Sequence, residues 1–111
     1  MSTQPAKITV VGNLTRDPEE KVNSETGRTF VTVALAENYD RHDGEKGTNY
    51  YELTASGKAA EGLLQFAKGD RMIVTGPVSS RGRVGERDGE AYAFVDTVIR
   101  VEDFGPSALF A

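Results

Sequence analysis

Between Lys58 and Lys68 the apolar residues follow a helix. Ala59, Ala60, Leu63, Leu64 and Ala67 share one stripe at i, i+3, i+4 spacing. Ser56 or Gly57 stands where an N-cap belongs, and Gly69 where the residue beyond the last turn belongs. The other regular segments alternate with period two, between breaks rich in Gly, Pro, Asn and Asp. A chain of 111 residues with one such helix must build its core from strands.

Five strands are expected. Lys7 to Asn13 is the first, with Gly12 permitting a bend or bulge. Asp17-Pro18 then turns the chain, because Pro fixes φ and pushes Asp17 out of the α region. Glu19 to Val22 continues the strand, and residues 23–27 form a turn. Thr29 to Glu37 is the second strand. Val31, Val33 and Leu35 take one face; Phe30, Thr32 and Ala34 take the other. Asn38 to Asn49 is polar and reads as a loop. Tyr50 to Ser56 is the third strand, with Tyr51, Leu53 and Ala55 turned inward. Met72 to Val78 is the fourth, and Ser79 to Gly89, rich in Gly and charge, reads as a loop. Ala91 to Val101 is the fifth, with Ala93, Val95, Thr97, Ile99 and Val101 on one side. Residues 102–111 are too broken by Gly and Pro to assign. Three strands, a helix and two strands make an all-β domain, and the order fits a five-stranded Greek-key barrel. An α+β sandwich is the alternative.

Charge narrows the function. The net charge of −4 argues against a generic polyanion binder. Its distribution is uneven: residues 58–83 are net +3, whereas 35–57 and 84–111 are net −3 and −4. An anion-binding surface should therefore draw on Lys58, Lys68, Arg71, Arg81 and Arg83. No apolar run is long enough to cross a bilayer, and the first residues lack the apolar stretch of a signal peptide. A cytoplasmic, nucleoid-associated protein is expected. With no Cys there is neither disulfide nor thiolate chemistry.

Catalytic patterns are missing. The single His42 sits among Asp40, Arg41 and Asp43 in a polar stretch and reads as a solvated loop residue. No ligand set has zinc spacing. Gly57-Lys58 fails as a phosphate loop, because Glu52 stands where the earlier Gly is required. Ser79 and Ser80 have no partner His by any pattern. No enzyme, cofactor or metal site is expected.

Several pieces carry a family resemblance. They are the run Val11-Gly12-Asn13-Leu14-Thr15-Arg16-Asp17-Pro18-Glu19, Leu35-Ala36, the Ser56-Gly57-Lys58-Ala59-Ala60-Glu61 segment and Lys68-Gly69-Asp70. In this order and spacing the chain resembles bacterial single-stranded DNA-binding proteins over residues 6–104. The resemblance implies an OB-fold domain over 1–104, with 105–111 as a short tail. It implies sequence-independent binding of single-stranded DNA in replication, repair or recombination. It also implies a homo-oligomer, a tetramer being favoured and a dimer possible.

The physics of that task points to particular residues. Aromatic rings on a sheet surface stack on bases, and Lys and Arg track the phosphates. Tyr50 alternates with the inward residues of its strand and stands on the solvated face. By the resemblance, Tyr50 and Tyr39 match stacking positions, and Tyr51 matches a residue at subunit contacts. Tyr92 and Phe94 lie opposite Val95 and Ile99, and Tyr92 is the favoured third stacker. Lys58, Arg71, Arg81, Arg83 and Arg16 are the expected phosphate contacts.

The chain also departs from the family. Ser56 stands where a stacking Phe is usual, and Glu52 where a basic residue is common. Arg83, or a neighbour, takes the place of a third aromatic, and its guanidinium plane can stack as a partial substitute. A weaker binder is expected, with an oligomer restoring avidity. The family's long linker and acidic Pro-Phe tip have no counterpart in Glu102 to Ala111, so recruitment of proteins through a tail is not expected. A primosome-like accessory OB-fold, acting mainly through protein contacts, is the alternative function.

Overall fold

The computed structural model describes residues 6–107, apart from the side chains of Arg83 and Phe94. In chain order its elements are β1 (Lys7–Leu14), β2 (Glu19–Val22), β3 (Thr29–Asp40), β4 (Lys46–Ala55), α1 (Gly57–Leu63), β5 (Arg71–Arg87), β6 (Glu90–Arg100) and β7 (Asp103–Pro106). The strand path runs β1-β3-β4-β6-β5, and β5 pairs back onto β1. Five strands thus close into the Greek-key barrel of the OB-fold. β2 lies beside β3, and β7 beside β5.

Alternation fills the barrel. Val31, Val33 and Leu35 of β3 are buried, as are Leu53 and Ala55 of β4. Val10 and Leu14 of β1, Met72 and Val74 of β5, and Ile99 complete the interior. Each fully buried side chain of this size contributes roughly 1.5–3 kcal/mol. Ala60 and Leu63 of α1 join the same core.

The helix is shorter than its apolar spacing predicts. Beyond Leu63 the chain tightens, with Gln65 N–H donating to Gly62 O at 3.1 Å and Phe66 N–H to Leu63 O at 3.1 Å. Phe66 then meets Phe104 of β7 edge to face, with centroids 5.9 Å apart. Gly62 makes room for that ring: a Cβ there would lie 2.5 Å from Phe104 Cζ. Ser56 is the N-cap residue, but its side chain makes no capping hydrogen bond. Gly69 lies well past the helix, with φ +91°.

Two segments expected as loops are paired strand. β3 and β4 continue past the barrel as a ribbon to the register pair Asp40 and Lys46. Ser79 to Arg87 belongs to β5, which runs with β6 as a long arm from Val78–Ile99 to Arg87–Glu90. Asp88 (φ 53°) and Gly89 (φ 79°) turn this arm, as a type I′ turn demands. The arm also changes one face assignment. Ile99 is inside the barrel, but Val95 pairs with Gly82 out on the arm and is 72% exposed. β7 occupies the segment left unassigned, so the expected tail boundary at residues 104 and 105 falls within a strand.

The run from Gly12 to Asp17 meets residues 67–70 at a junction. Asn13 Nδ2 donates to Gly69 O at 3.1 Å, and Lys68 N–H donates to Asp17 Oδ1 at 2.8 Å. Leu14 and the loop exchange two backbone bonds, Leu14 N–H to Asp70 O and Gly69 N–H to Leu14 O. Gly12 produces no bulge in its ladder with β5. It passes so close to β3 that a Cβ would lie 2.5 Å from Ala36 O.

Candidate nucleic-acid interface

The outward face of the barrel follows from one register. Tyr50 pairs with Ala36, Glu52 with Ala34 and Thr54 with Thr32. These residues point away from the core, because their neighbours in sequence fill it. β4 joins β6 only at Glu52–Thr54, parallel to Val98–Arg100. On the N-terminal side of that seam lies a groove of about 620 Å³. Tyr50 and Glu52 line it from β4, Arg81 from β5, Asp96 from β6, and Arg16 from the turn after β1.

Tyr50 is 67% exposed, and its cross-strand neighbour is only a methyl group. Its ring face is open to a ligand. Arg16 lies over the same face and donates from Nη2 to Oγ1 of buried Thr32 at 3.3 Å. Arg81 is differently placed. Its Nη2 sits 2.6 Å from Glu52 Oε2 and 3.7 Å from Asp96 Oδ2. Two carboxylates therefore offset its charge, and an incoming phosphate must compete with both.

The other expected residues do not gather here. Tyr39 pairs with Gly47, so alternation places it on the face opposite Tyr50. Its ring packs over Gly47, where a Cβ would collide with it. Tyr92 is on the arm opposite Gly85, and its hydroxyl donates to Glu90 Oε2 at 3.1 Å. Lys58 is exposed on α1 and does not line the groove. Arg71 opens β5 ten residues before Arg81, roughly 33 Å away along an extended strand. The side chain of Arg83 lies outside the described residues.

Tyr51 packs partly against the core. Its hydroxyl donates to Glu37 Oε1 at 3.1 Å. Desolvation, and then the bond to Glu37 and its charge, push the phenol above its ordinary value of 10.0. Among the described residues no cluster of three His, Cys, Asp or Glu side chains could hold a metal ion. No described helix is long and apolar enough to cross a membrane.

Three residues that sequence reasoning missed lie at the far end of the same face. Arg28, Phe30 and Arg100 line a second cleft of about 410 Å³. Alternation had already put Phe30 on the outward side. Its nearness to Arg100 depends on the pairing of β4 with β6, which no local pattern announces.

Comparison with known proteins bears on the family and the fold. The chain is 34% identical to a single-stranded DNA-binding protein of Mycobacterium leprae, over 94% of this chain and 64% of that one. It is 32% identical to one from Mycolicibacterium smegmatis, over 94% and 65% respectively. The chain thus spans a little under two thirds of the length of these relatives. The crystal structure of a small single-stranded DNA-binding protein from Streptomyces coelicolor shares the fold, with TM-score 0.72 and 22% identity over 98% of this chain and all of that one. The model of the single-strand binding protein family matches residues 5–104, and this chain belongs to that family.

Proposed function

We propose that this protein binds single-stranded DNA on the outward face of its barrel, without regard to sequence and without catalysis. The observation that carries this reading is Tyr50, an exposed ring in an open groove that Arg16 also lines. Every base offers a π-face to such a ring, and a stack contributes roughly 1–3 kcal/mol. The phosphates add a salt-dependent part, to which Arg16 contributes more than the tethered Arg81. One groove of this kind binds modestly, and a homo-oligomer, a tetramer first and a dimer second, multiplies it into useful avidity. Protection of exposed strands in replication, repair or recombination is the role this activity serves.

Titration with oligo-dT, duplex DNA and RNA, alongside molar mass by light scattering, tests the reading. Tyrosine fluorescence is quenched by oligo-dT, and affinity falls as salt rises. Absence of binding to long oligo-dT at low salt and micromolar protein removes the proposal. It leaves the accessory reading, in which the same barrel docks on another protein. The carboxylates that hold Arg81 are the observation that favours that second reading.

A further inference from the structure

The two clefts on the outward face carry different charge. Both lie along β4, one at Tyr50 and the other at Ser56, six residues and roughly 20 Å further on. In the first, Glu52 and Asp96 hold Arg81. In the second, half-buried Phe30 shares the lining with Arg28 and Arg100, and with Asn23, Thr26 and Ser56 among the others. No Asp or Glu lines this second cleft. Among the described residues no ion pair holds Arg28, Arg100 or Lys21, the register partner of Phe30. A guanidinium without a counter-charge in an open cleft attracts an anion more strongly than one already paired. An aromatic ring that shares a cleft with two such groups offers a base its stacking partner and the adjoining phosphates their cations.

The geometry points to a second nucleotide subsite, in which Phe30 stacks a base and Arg28 and Arg100 hold the phosphates on either side. It rests on the reading of the outward face as the path of single-stranded DNA. It extends that path from Tyr50, across the seam of β4 and β6, to the turn before β3. A span of roughly 20 Å suits the 4–16 nucleotides that one such barrel covers. In this arrangement the cleft at Phe30 supplies most of the salt-dependent attraction, and Tyr50 supplies stacking.

The chain contains no Trp, so one introduced indole reports on one place. Phe30→Trp and Tyr50→Trp are each titrated with long oligo-dT. The expected result is quenching of both. Arg28→Gln and Arg100→Gln, in the otherwise unaltered protein, each weaken binding about fivefold at 0.1 M salt and flatten the logarithmic salt slope by about 0.7. Quenching at residue 50 but not at 30, with both slopes unchanged, overturns the subsite and leaves the groove at Tyr50 standing. If emission at residue 30 responds to protein concentration and ignores DNA, the cleft is a contact between copies and the proposal is overturned. If neither indole responds and the unaltered protein fails to bind, the subsite falls together with the function it rests on.

Discussion

The junction at Gly12–Asp17 and the outward face at Tyr50 are built on opposite principles. At the junction, side chains and backbone are tied to residues 67–70 by hydrogen bonds, and Gly12 has no spare room. On the outward face, Tyr50 is mostly exposed and its floor is made of alanines. The first region holds the most family-specific wording in the chain, and apart from Arg16 its described contacts are those of scaffold. The second holds the candidate chemistry, and its wording is ordinary. In this protein the family signature and the candidate working surface meet at Arg16, which leaves the junction to line the groove at Tyr50, and are otherwise different places.

Perturbing each region separately sharpens the contrast. The largest effect is expected from Gly12→Ala. Its new methyl meets the Ala36 carbonyl, which is backbone and cannot swing aside. A loss of about 3 kcal/mol in urea unfolding is expected, the upper part of the overpacking range, with oligo-dT affinity of the folded fraction unchanged. Tyr50→Ala should do the reverse. Binding weakens by roughly 1–3 kcal/mol in a fluorescence or anisotropy titration, while the unfolding midpoint stays put. Asp17→Ala removes the acceptor of the Lys68 N–H and should cost about 1 kcal/mol of stability without touching binding. A loss of binding equal to that of Tyr50→Ala would show the two regions to be one.

Glu52→Gln probes the outward face from the other side. It frees Arg81 from its nearer partner and removes a negative charge from the groove. Oligo-dT affinity should rise by up to about fivefold at 0.1 M salt, with a steeper salt slope. The smallest effect is at high pH. The Tyr51 phenol is raised in the folded protein, so the folded state keeps its proton where the unfolded chain has lost it. Its contribution is complete below pH 10.0 and is lost as pH climbs through the raised value. Tyr51→Phe should flatten that alkaline decline slightly, read as unfolding free energy against pH.

Strands were legible where one face fills the core. Val31, Val33 and Leu35, or Leu53 and Ala55, declare their side by alternation alone, and all five are buried. The arm was not legible, because both its faces meet solvent and Gly82, Gly85 and the charges around them imitate a loop. Its one clear signal was Asp88-Gly89, the dipeptide that a type I′ turn selects. The helix stripe overran because Leu64 and Ala67 continue its spacing, while Phe66 finds a better partner in Phe104. Tyr50 could be placed from its own strand. The tether of Arg81 could not, since it needs the pairing of Arg81 with Asp96 and the meeting of β4 with β6.

The ring of strands has two narrow joins. β1 meets β3 only at Asn13–Ala36 and Leu14–Leu35, and β4 meets β6 only at three pairs. Between these joins lie a meander of β2, β3 and β4 and a sheet of β1, β5, β6 and β7. Mechanically the molecule is two shells held together by shared interior side chains, and partial opening should part them there. A polymer lying from Tyr50 to Arg100 would straddle one join and act as a suture, adding its own binding free energy to the resistance of the two halves against shear.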